Sequence, residues 1–99
     1  MKTNETEVDT KLKKLVSILK KHGIKKISIF GSYARGMVNA ESDLDVLVEF
    51  SGKKSLLDII GIEMELSEAL KLKVDLLTDK SISPYLIDRI KKEAKVIYG

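Results

Sequence analysis

The 99-residue sequence predicts a small α/β (α+β) domain: a mixed β-sheet with helices packed on it. Three observations lead there. Long stretches of helical period bracket three short runs rich in Val, Ile, Leu and Phe. Turn residues separate them at His22-Gly23, Gly31-Ser32, Ser51-Gly52 and Ser83-Pro84. The length suits one core and one domain over residues 1–99.

The elements follow in order. From Val8 to Lys21, apolar residues fall at Val8, Leu12, Leu15, Val16 and Leu19, the stripe of an amphipathic helix. His22-Gly23 ends it, with Gly suited to a left-handed C′ position. Lys25–Phe30 reads as a strand, with Ile27 and Ile29 on one face and Ser28 and Phe30 on the other. Gly31-Ser32 breaks it, and a short helical turn through Ala34-Arg35 and a loop from Gly36 to Ser42 follow. Asp43–Phe50 is the strongest strand pattern in the chain. Ser55 with Asp58 resembles a capping box and opens a helix to about Leu70, apolar at Ile59, Ile62, Leu66 and Ala69. Lys73–Thr78 is a third strand. Ser83-Pro84 caps a last helix with Leu86, Ile90 and Ala94 on its apolar face, and the tail from Lys95 is read as its end or as a loose end.

Composition excludes several classes. The chain has no cysteine, so disulfides and thiolate metal sites are ruled out. No apolar run approaches the ~20 residues of a membrane span, and the polar N-terminus is unlike a signal peptide, which points to the cytoplasm. The net charge of +3 arises from 18 basic and 15 acidic residues spread along the chain. A mixed-sign surface fits this better than a nucleic-acid face, and the lysine pairs such as Lys53-Lys54 read as solvated. Glutamine is absent, asparagine scarce and Lys, Glu and Ile abundant, a bias of thermophile proteins.

The chemistry concentrates between Gly31 and Phe50. Strand alternation turns Asp43 and Asp45 to one face, roughly 7 Å apart at Cα, while Leu44, Val46, Val48 and Phe50 take the core. Two such carboxylates repel unless a cation lies between them. Mg²⁺ suits: it takes one or two carboxylates and fills its shell with water and phosphate oxygens. If the third strand is a neighbour in register, Asp75 joins them, and three carboxylates can hold two metal ions. Asp75 could also accept the proton of an attacking hydroxyl. Gly31-Ser32 supplies the other half: free backbone N–H groups and a hydroxyl that cradle phosphate. Arg35 adds a charged fork one helical turn on. A phosphate cradle beside a metal clamp suggests transfer of a nucleoside phosphate. Alone, Gly-Ser is usually a turn and Asp-x-Asp usually solvated; the combination and its spacing carry the reading. Glu49 reads as a solvent-facing strand end, His22 as a helix-end residue, and Tyr33, Tyr85 and Tyr98 as packing residues as readily as functional ones.

"GSYARG" followed by "SDLDVLV" resembles the DNA polymerase β-type nucleotidyltransferase superfamily, and most nearly its minimal nucleotidyltransferase (MNT) antitoxins. The resemblance covers most of the chain and is most specific from Gly31 to Phe50. Met37 stands where alanine is common. The family implies that Gly31 and Ser32 hold the nucleotide phosphates, that Asp43 and Asp45 bind Mg²⁺, and that Asp75 completes the site. It implies ATP as substrate and a HEPN toxin, an all-helical ribonuclease, as partner in a type VII-like toxin–antitoxin pair. AMP would pass from ATP to a toxin tyrosine and silence it. The chain has no room for an appended acceptor domain, so the second protein would bring the acceptor hydroxyl. Two rivals stand beside this: a non-catalytic antitoxin that neutralises by stoichiometric binding, and a transferase acting on a small molecule.

Overall fold

The computed structural model describes residues 3–31 and 43–99, with side chains from residue 10 onward in the first segment. Helix α1 spans Thr3–Lys21 and is followed by β1, Ile24–Phe30. Next come β2 (Leu44–Phe50), α2 (Leu56–Leu70) and β3 (Val74–Thr78). A 3₁₀ turn at Asp79–Ser81 leads to α3 (Pro84–Glu93) and to β4 (Lys95–Tyr98). The four strands form one mixed sheet in the order β3-β2-β1-β4. β1 pairs antiparallel with β2 and β4, and β2 pairs parallel with β3.

Local signals explain most boundaries. α1 ends as Gly23 takes φ +76°, with the Gly23 amide donating to the Lys20 carbonyl. The Ser55–Asp58 capping box forms in both directions, each bond 3.1 Å. Ser83 caps α3 through the Tyr85 amide, with Pro84 in its first turn. α1 begins five residues before Val8, and Asp43 lies just outside β2 rather than within it.

The tail from Lys95 is neither the end of α3 nor a loose end. It is a strand, pairing Val96 with Ser28 and Lys95 with Ile29. The backbone turns extended at Ala94 (φ −70°, ψ 142°), and β1 offers an open edge to the β-branched pair Val96-Ile97.

One sheet face carries the core. Ile27, Ile29, Leu44, Val46, Val48, Val74 and Leu76 pack against Leu15 and Leu19 of α1 and Ile62, Leu66 and Leu70 of α2. Phe50 is only partly buried at the strand end. A bulge between Ile24 and Lys26 lets Ile24 and Ile27 both face inward while Lys25 and Lys26 stay exposed. On the opposite face Ser28 and Leu47 are buried side by side, and with Lys91 and Ala94 they line a cleft of about 150 Å³ under α3. α3 covers that face loosely: Leu86 is exposed, and Ile90 and Ala94 are half-buried. Among the described residues no helix is long and apolar enough to cross a membrane.

Candidate active site

The parallel pairing of β2 with β3 sets the site. Its register places Asp45 directly beside Asp75, between the buried pairs Leu44–Val74 and Val46–Leu76. The core side chains alternate to one face, so the two carboxylates emerge together on the other, half-buried. Neighbouring strands lie ~4.8 Å apart. Asp43 stands one step beyond the strand end and is exposed; the ladder continues past it, as the Leu44 amide donates to the Lys73 carbonyl at 2.9 Å.

Gly31 closes the site from the other side. Phe30 pairs with Asp45 across β1 and β2, and the next residue, Gly31, turns with φ +71°. A Cβ at Gly31 would overlap Oδ2 of Asp45. Glycine is therefore required twice, for the left-handed turn and for the close approach of a carboxylate to the backbone. Sequence reading assigned Gly31 to phosphate only; its contact with Asp45 links the two halves of the motif. Ser32 and Arg35 lie outside the described residues, as do the turn at Ala34-Arg35, Tyr33, and the loop to Ser42.

Two further side chains shape the site. β3 is an edge strand, and its outward amides on either side of Asp75 would otherwise be open. The Leu76 amide donates to Glu63 Oε2 at 2.8 Å, and the Val74 amide donates to Ser67 Oγ at 3.1 Å. Glu63 and Ser67 are one turn apart on α2, so the helix clamps the strand around Asp75. Sequence reasoning missed both. The available signal was two polar residues four apart, flanking the buried stripe Ile62–Leu66–Leu70.

Other singled-out residues stand apart from this end of the sheet. Glu49 is exposed and lies 3.7 Å from Lys25 Nζ. His22 follows α1 and bonds Glu65 at 2.9 Å. Tyr98 packs against the core with Lys20 Nζ 5.2 Å from its ring centre, whereas Tyr85 is exposed. Among the described residues no group of three or more His, Cys, Asp or Glu side chains is gathered closely enough to hold a metal ion by itself. The chemistry of the Asp45–Asp75 pair fits a hard cation that draws its remaining ligands from water and phosphate.

Helices packed on a four-stranded mixed sheet of this order, with Asp45 and Asp75 paired on neighbouring strands, have the architecture of a nucleotidyltransferase-type fold. The family model described as polymerase beta, nucleotidyltransferase matches residues 13–99, and the chain belongs to that family of enzymes. A candidate protein adenylyltransferase of Methanocaldococcus jannaschii is 54% identical over 82 residues, covering 83% of this chain and 88% of that protein. Protein adenylyltransferase MntA of Thermococcus cleftensis is 36% identical over 95 residues, covering 88% of this chain and 94% of its own. Among solved structures, one chain of a toxin–antitoxin crystal structure with AMP-PNP superposes with a TM-score of 0.79 at 26% identity, over 88% of this chain and 72% of that one.

Proposed function

We propose that the protein is a Mg²⁺-dependent protein adenylyltransferase that acts in the cytoplasm as an antitoxin, moving AMP from ATP to a tyrosine of a helical HEPN ribonuclease toxin. One observation carries the reading: the register that sets Asp45 beside Asp75, with Gly31 turning against Asp45. The adenylyltransferase names of the relatives and the AMP-PNP of the structural neighbour support the choice of reaction and nucleotide.

In this reading Asp45 and Asp75, with Asp43 at the strand end, would hold Mg²⁺, and residues 1–99 act as one domain. Bound metal would supply positive charge to the phosphate oxygens. Gly31 lets the backbone approach the phosphates, and Ser32 and Arg35, assigned from the sequence motif, complete the cradle. Asp75 orients the tyrosine hydroxyl and accepts its proton as Oη bonds to the α-phosphorus. The bond from that phosphorus to the bridging oxygen breaks, and pyrophosphate leaves.

The test is to incubate the protein with its toxin partner, ATP and Mg²⁺ and to weigh the toxin intact. An AMP-sized increase on a tyrosine is expected. An active toxin preparation that gains no mass overturns the proposal. Asp45→Asn with Asp75→Asn separates catalysis from occlusion: neutralisation at substoichiometric dose should vanish, and its survival would point to the binding rival.

A further inference from the structure

The connection from α2 to β3, Lys71-Leu72-Lys73, ends at the acid pair. Leu72 packs against the core, Val74 and Leu76 are buried in it, and Asp75 emerges on the other face. The same alternation carries Lys73 to the face of Asp75, two residues before it and roughly 7 Å away at Cα. The backbone is held there, because the Leu44 amide donates to the Lys73 carbonyl at 2.9 Å. One step before the Leu44–Val74 pair, Lys73 therefore stands level with Asp43. Both are exposed, at the rim of the site.

Several lysines elsewhere are engaged. Lys25 meets Glu49, Lys91 meets Asp79, Lys20 lies over the Tyr98 ring and Lys54 over that of Phe50. Among the described residues Lys73 closes no ion pair, although Asp43 and Asp75 stand on its own face. Its four-carbon stem lets a point charge reach a ligand held at the acid pair. Gly31 and Lys73 flank that pair from opposite sides. β2 lies between β1 and β3, so the Gly31 turn meets Asp45 from the β1 side and Lys73 approaches from the β3 side.

We infer that Lys73 is a further nucleotide-binding residue of the reaction, its Nζ donating a hydrogen bond to a non-bridging oxygen of the α-phosphate. The inference rests on the adenylyltransferase reading. In that reading the terminal phosphates sit at the Gly31 turn, and the α-phosphorus is attacked by the hydroxyl whose proton passes to Asp75. The α-phosphate then lies on the β3 side, where Lys73 stands. The ammonium adds fixed positive charge beside the reacting phosphate as Oη bonds and pyrophosphate leaves. Lys71 is not equivalent. It is the left-handed C-cap of α2, before Leu72, and lies outside the strand alternation.

Calorimetric titration with AMP-PNP and Mg²⁺ reads this contact without the toxin. Lys73→Met should weaken AMP-PNP binding by about tenfold or more, the worth of a charge-assisted hydrogen bond, with circular dichroism unchanged. Lys73→Arg should recover most of that affinity, and Lys71→Met should match the parent. Inorganic pyrophosphate has no α-phosphate, so parent and Lys73→Met should bind it equally. With toxin present, Lys73→Met should slow transfer by about tenfold or more while the toxin Kd holds. A Lys73→Met chain that binds AMP-PNP as the parent does overturns the proposal, even if transfer is lost. So does an equal loss for pyrophosphate, or an equal loss in Lys71→Met, either of which would mark a general field rather than a contact. A parent that binds no AMP-PNP overturns this inference together with the reading it rests on. A parent that binds AMP-PNP but leaves the toxin unmodified overturns the toxin reading alone, and the binding series still decides the role of Lys73.

Discussion

At Gly31 a single missing Cβ supports both a left-handed turn and the seat of the Asp45 carboxylate. Gly31→Ala should cost about 1–2 kcal/mol in stability, from the left-handed backbone alone, and should reduce AMP transfer by displacing that carboxylate. Urea unfolding and the toxin mass assay measure the two effects. Asp75 makes the opposite case. It stands beside Asp45 on the next strand, and like charges directly opposite each other destabilise a sheet. Asp75→Asn keeps the shape and removes the repulsion, so the melting temperature should hold or rise. With Asp75 in its proposed role of proton acceptor, transfer should nevertheless fall by about 100-fold or more. A drop in both would mark Asp75 as structural.

Among the elements, α2 determines how firmly β3 presents Asp75. Glu63→Leu removes a hydrogen bond to a charged acceptor and should destabilise by about 1–3 kcal/mol. It should also speed hydrogen exchange at the Leu76 amide. Glu63→Gln retains an acceptor oxygen and should recover most of both. The same helix gives acid sensitivity. The Ser55 amide, and then its hydroxyl, hold the Asp58 carboxyl below its ordinary value of 3.8. A depressed folded value means that this contribution is present above the unfolded pKa and is lost as the pH falls through the folded one. Lys91, held above its ordinary 10.5 by its hydrogen bond to Asp79, has the reverse sign: its contribution is present at neutral pH and fades as the pH rises past that value. Urea midpoints followed below about pH 4 should fall in the parent more steeply than in Asp58→Asn.

For the whole molecule, stability rests on the face where α1 and α2 meet the sheet. Leu66 has no exposed surface there, and Leu66→Ala should cost about 2–5 kcal/mol, read as a fall in melting temperature. The composition leads us to expect a parent that melts above the ~45–65 °C of mesophile domains. Much of this architecture was legible beforehand, because helical period, strand alternation, the Gly23 stop and the Ser55–Asp58 box act locally. The tail from Lys95 was not. Four residues after a helix hold too little pattern to mark a strand, and only the open edge of β1 makes them one.

The sequence by itself determined that Asp45 faces away from the core residues Leu44 and Val46, that a glycine step precedes it, and that another acid sits within a later apolar run. These are consequences of a period of two and of residue type, which need no knowledge of neighbours. Tertiary structure alone decided that β3 lies next to β2, in the parallel register that pairs Asp45 with Asp75, and that Glu63 and Ser67 clamp that pairing. Those contacts join residues far apart in the chain through strand order and backbone hydrogen bonds. Local pattern does not encode them: alternation forbids a slip of one residue, which would send Asp75 to the core, but a slip of two would satisfy it equally while parting Asp45 from Asp75.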